Sequence, residues 1–63
     1  MLMIYAKHHG SSRFYPMDMS EGVPVKNKLY ASMFDNSDRD RLETACRELK
    51  EENKDWDFEI RTA

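Results

Sequence analysis

SDRDRLETACRELKEENKDWDFEIR, Ser37 to Arg61, holds a helix and a strand back to back. Leu42, Ala45, Cys46 and Leu49 recur at i, i+3, i+4 and i+7, one narrow apolar stripe on a helix. Ser37 is a suitable N-cap, with Asp40 three residues on as a weak capping box. Asp38 and Asp40 suit the positive end of the helix dipole. Arg39–Glu43, Glu43–Arg47 and Arg47–Glu51 are spaced as i, i+4 pairs on the wet side. The pattern stops near Asn53, a residue that tolerates a left-handed C-terminal conformation. Beyond it, Trp56, Phe58 and Ile60 alternate with Asp57, Glu59 and Arg61, which predicts a half-buried strand.

Upstream, Met1 to Lys7 alternates Leu2, Ile4 and Ala6 with Met3, Tyr5 and Lys7, the pattern of a first strand. Gly10-Ser11-Ser12 signals a turn, so Arg13 to Met17 is expected to form a hairpin with it. Pro16 cannot donate to a ladder and demands an edge or a bulge. Asp18 to Pro24 reads as loop. Lys28 to Phe34 alternates again and predicts a third strand. The expected fold is α+β: a three-stranded antiparallel meander, one helix, then a fourth strand (βββαβ), with the helix on one sheet face. A right-handed crossover through the helix implies a fourth strand parallel to the third or the first. Leu42, Cys46, Leu49, Trp56, Phe58 and Ile60 should then form the buried cluster, over Leu2 and Ile4.

The 63 residues are expected to make one domain, spanning 1–63, with a thin core. The single cysteine, Cys46, rules out an internal disulfide, and the short apolar start before Lys7-His8-His9 is too short for a signal peptide or membrane span. A cytoplasmic, soluble protein is the expectation. The net charge of −2 is uneven: residues 1–34 balance to +2 and residues 35–63 to −4. This asymmetry suits an anionic contact for the first half, without the cationic excess of a strong nucleic-acid binder.

His8-His9-Gly10-Ser11-Ser12-Arg13 has the materials of a metal clip or a phosphate cradle. Adjacent strand residues point to opposite faces, and zinc sites need three or four ligands, so no metal is expected. A Gly-Ser-Ser turn can form an anion nest, but without a following helix it is read as a polar hairpin tip. No base is placed beside Cys46, and the helix carboxylates read as solvated faces. No enzyme activity and no cofactor are therefore expected.

The face away from the helix is the expected interaction surface, with Met3, Tyr5, Lys7, Arg13, Tyr15, Lys28, Tyr30 and Ser32 on or beside it. Tyr5, Tyr30 and either Phe14 or Tyr15 would line up across three strands. Such a face suits a protein partner or a homodimer; the alternative is a single-stranded nucleic acid stacked on the aromatics.

The stretches RFYPMDMSEGVPVKNKLYASMF and DWDFEIR carry a further pattern. A basic–aromatic second strand at Arg13-Phe14, an Asp18-x-x-x-Gly22 loop, Leu29-Tyr30-Ala31 and an acidic–aromatic strand from Trp56 to Arg61 follow in order. The chain thus resembles small, largely uncharacterised proteins carried by bacterial phages and mobile genetic elements. The resemblance implies a mobile-element setting and brings no catalytic residues. It leads to the expectation of a regulator or inhibitor of a host factor.

Overall fold

The computed structural model describes residues 1–63. Strand β1 (Leu2–His8) runs through the middle of a four-stranded antiparallel sheet. Strand β2 (Tyr15–Asp18) pairs with it on one side, and strand β3 (Val23–Pro24) pairs with β2. Helix α1 (Arg39–Glu52) follows, and strand β4 (Trp56–Thr62) closes the other side of β1, giving the order β3-β2-β1-β4. The expected α+β order of three strands, helix and strand holds. Two of its parts differ.

The third strand lies at Val23–Pro24, not over Lys28–Phe34. Gly22, at φ +71°, donates its N–H to the Asp18 carbonyl at 2.8 Å and returns the chain at once beside β2. Closing a short hairpin costs less chain entropy than closing a longer loop, so β2's outer side is taken before Lys28 is reached. Asn27 to Tyr30 then winds into a 3-10 turn, and only Phe34 makes a bridge, to Leu2. Pro16 is accommodated because its carbonyl, and with it the side that lacks an N–H, faces β3, where Val25 donates at 2.8 Å.

The fourth strand is antiparallel to β1, and so not parallel to the first or the third strand, with unbroken register from Leu2↔Thr62 to His8↔Trp56. The crossover rule does not apply here. The segment Val25–Asp38 carries the chain back to the start of β1 before α1 begins. The helix climbs the sheet, and the brief Asn53–Asp55 turn leaves β4 only the downward direction.

Leu2, Ile4, Ala6, Met17 and Leu42 form the buried cluster. Cys46, Trp56, Phe58 and Ile60, expected to be buried, pack against it half-exposed, and Leu49 is also only half-buried. Central β1 has neighbours on both sides, whereas β4 is an edge strand and its side chains keep one flank open.

The helix ends differ in detail from expectation. Asp35, not Ser37, caps the chain, accepting the Ser37 N–H at the head of a 3-10 turn (Asn36–Asp38) that runs into α1. Asn53 has φ −134°, outside the left-handed region, and satisfies Leu49 O with both its backbone N–H and its side-chain amide, each at 2.9 Å. The i, i+4 ion pairs do not close; Arg47 donates to Thr44 Oγ1 at 3.2 Å instead. Exposed pairs gain too little to hold two long side chains in one geometry. No helix is long and apolar enough to cross a membrane.

Candidate interaction surface

The segment from Val25 to Phe34 is held along its length. Its backbone N–H groups at Val25, Ser32 and Phe34 donate to Pro16, Met17 and Leu2 carbonyls at 2.8, 3.0 and 2.8 Å. Ser32 Oγ accepts the Met19 N–H at 2.8 Å. Between these anchors Asn27 Oδ1 accepts the Leu29 N–H at 2.9 Å, and Tyr30 and Ala31 donate back to Asn27 and Lys28. A short hydrogen-bonded turn therefore displays Leu29, 80% exposed, and Tyr30, 71% exposed, between Lys26 and Lys28 on one flank and Met33 on the other. Large apolar groups on a pinned turn lose little further entropy on binding. Leu29 was not among the expected surface residues. Asn27, placed two residues before it as a side-chain cap, was the available signal, and strand-like alternation masked it.

The sheet face away from α1 carries a second cluster. Tyr5 and Arg61 belong to it by alternation, and Phe14 joins them from the chain entering β2. The Arg61 guanidinium lies 4.5 Å from the Tyr5 ring centre and 4.8 Å from that of Phe14, while Lys7 Nζ stands 5.9 Å from Phe14. The chain's own cations thus cover both rings.

The expected surface residues therefore divide. Tyr5 and Lys7 sit in this cluster, Lys28 and Tyr30 on the 3-10 turn. Met3, on the same face as Tyr5, has no exposure at all. Ser32 is committed to Met19. Tyr15 pairs with Ala6, so it lies on the helix side of the sheet, with Arg13 5.3 Å from its ring. Tyr5 and Tyr30 do not align, because Tyr30 is on no strand.

The histidines close the first hairpin. His8 O accepts the Ser11 N–H at 2.9 Å, its Nδ1 accepts the Gly10 N–H at 3.0 Å, and its ring meets Trp56 edge-on at 5.2 Å. Ser11 Oγ accepts the Arg13 N–H at 3.1 Å. Three of the N–H groups that an anion cradle would need are thus consumed by the turn itself. His9 points elsewhere, with Nε2 3.2 Å from Asp57 Oδ1. Lys50 Nζ joins this pair, donating to Asp57 at 3.0 Å and to the Trp56 carbonyl at 2.8 Å. The Lys50 hydrogen bond, then that of His9, holds the Asp57 carboxyl below the usual carboxylate range. No group of three His, Cys, Asp or Glu side chains is arranged to hold a metal ion. Burial, then the charge of Glu43, pushes the Cys46 thiol up, which leaves it little thiolate at neutral pH.

Compared with protein-family models, curated proteins and solved structures, the chain finds no match in any of the three.

Proposed function

We propose that this chain is a non-enzymatic interaction protein that binds another protein through the Leu29–Tyr30 turn. The supporting observation is two large apolar side chains standing in water on a turn fixed by Asn27, Ser32 and Phe34. Anchors of this kind fill a partner's pocket, and the flanking Lys26 and Lys28 favour an acidic rim around it. In the mobile-element setting that the sequence resemblance implies, the partner is a host factor and the action regulatory or inhibitory. The test is affinity capture from the native host with the parent chain and with a Leu29→Ser/Tyr30→Ser chain. A protein held by the first and lost by the second supports the reading. Equal capture by both removes the turn from it.

The second reading is single-stranded nucleic acid, supported by Tyr5 and Phe14 sharing one face with Lys7 and Arg61. A base would have to displace the Arg61 guanidinium from the rings to stack. Titration of labelled oligonucleotides at two salt concentrations separates the readings, because only phosphate contacts give strongly salt-dependent binding.

A further inference from the structure

The two edges of the sheet are built differently. The β3 edge is two residues long and ends in Pro24, both devices that discourage pairing with another strand. The β4 edge runs from Trp56 to Thr62 in unbroken register with β1, without a bulge and without proline. His9 N–H donates to Asp55 O, and Ala63 N–H donates to Met1 O, just outside the two ends of this ladder. Hydrogen-bonded pairs alternate along an antiparallel ladder, so Asp57, Glu59 and Arg61 spend their backbone groups on β1. The N–H and C=O groups of Phe58, Ile60 and Thr62 consequently face outward. Lys50 takes the outward carbonyl of Trp56 at 2.8 Å, and nothing comparable guards the three residues after it.

We propose that two copies of this chain join antiparallel through the outer edge of β4, with Ile60 on the two-fold axis. The side-chain charges select this register. With Ile60 opposite Ile60, Phe58 exchanges backbone bonds with Thr62 of the second copy. Glu59 then stands directly opposite Arg61, twice over. A shift to the pairing of Phe58 with Ile60 puts Glu59 against Glu59. The shift to the pairing of Ile60 with Thr62 puts Arg61 against Arg61. Opposite charges at facing positions stabilise an antiparallel pair and like charges oppose it, so one register of the three is favoured. In the single chain Arg61 Nε already donates to Glu59, so the facing groups need only exchange partners across the axis. The axis stands perpendicular to the sheet. It joins two four-stranded sheets into one continuous eight-stranded sheet with both helices on the same side. This edge lies across the sheet from the Leu29–Tyr30 turn, so the dimer and the protein-binding reading stand or fall separately.

Sedimentation over a wide concentration range tests it, with circular dichroism confirming that each variant is folded. The parent chain should approach twice its monomer mass as concentration rises; a monomer at every concentration overturns the proposal. The Glu59→Arg chain and the Arg61→Glu chain should each stay monomeric, since each then carries like charges along the edge. Their equimolar mixture should restore a mixed dimer. Homodimers of either variant as strong as the parent's would refute the register. Thr62 is exposed and its N–H makes no bond to β1, so Thr62→Pro leaves the monomer intact while deleting two bonds per dimer. It should weaken association by about tenfold or more. Unchanged association of the Thr62→Pro chain removes β4 from the interface.

Discussion

Leu2 and Phe34 exchange both of their backbone hydrogen bonds, at 2.7 and 2.8 Å, across an isolated bridge at the start of β1. This contact returns the chain to the base of the sheet before α1 begins, and it sets the direction of β4. It also anchors the far end of the segment that presents Leu29 and Tyr30. One bridge therefore links the topology to the candidate binding turn.

Leu42 and Leu29 should respond oppositely to truncation. Leu42, 5% exposed, is the only helix residue in the buried cluster, and Leu42→Ala should cost about 2–5 kcal/mol of unfolding free energy. Leu29→Ala should stay within about 0.5 kcal/mol of the parent, as exposed substitutions do. Urea denaturation of both variants checks the pair. A Leu29→Ala chain as unstable as Leu42→Ala would mean that Leu29 packs inward.

Gly22 has open space where a side chain would go, so only its φ of +71° resists substitution. Gly22→Ala should destabilise by about 1–2 kcal/mol, the cost of the left-handed conformation for a residue with a Cβ. Gly22→Asn should cost less, because asparagine tolerates that region. Equal melting temperatures for the two variants would contradict the backbone explanation.

Asp57 ties β4 to α1 through Lys50, and its carboxyl is held below the ordinary value of 3.8. A carboxylate whose pKa is lowered on folding contributes stability above the unfolded value and loses it as pH falls through the folded one. Asp57→Asn should therefore be less stable than the parent near neutral pH. The two should converge once the pH drops well below 3.8. Denaturation of both chains across that range is the measurement. A gap that persists unchanged in acid would place the effect elsewhere than in the charge.

Asn27 caps the 3-10 turn by accepting the Leu29 N–H. In the Asn27→Ala chain that amide should exchange with solvent faster, while amides in the middle of α1 keep their protection. Hydrogen exchange resolved by residue reads this directly. Unaltered exchange at Leu29 would show that the flanking anchors at Val25 and Ser32 hold the turn by themselves.

Local periodicity was enough to reveal the elements that need no distant partner to be recognised. The stripe Leu42, Ala45, Cys46, Leu49 reads as helix, and Trp56-Asp57-Phe58-Glu59-Ile60 reads as strand, because side-chain direction repeats with the backbone's own period. The turn at His8–Ser11 was legible for the same reason, since its hydrogen bonds close within a few residues. The segment Lys28–Phe34 has equally good alternation, and there the sequence alone misleads. A strand exists only where another backbone offers hydrogen bonds, and Val23 and Pro24 had already occupied that side of β2. Leu29 and Tyr30 are consequently left in water as the most exposed large apolar groups of the chain. The direction of β4 was likewise settled at a distance, by the Leu2–Phe34 bridge that let the helix rise from the base of β1. Which residues alternate is a property of the chain's own covalent geometry. Which alternating residues become strands, edges or exposed anchors depends on the order in which segments compete for the same backbone partners, and only the tertiary structure decides that.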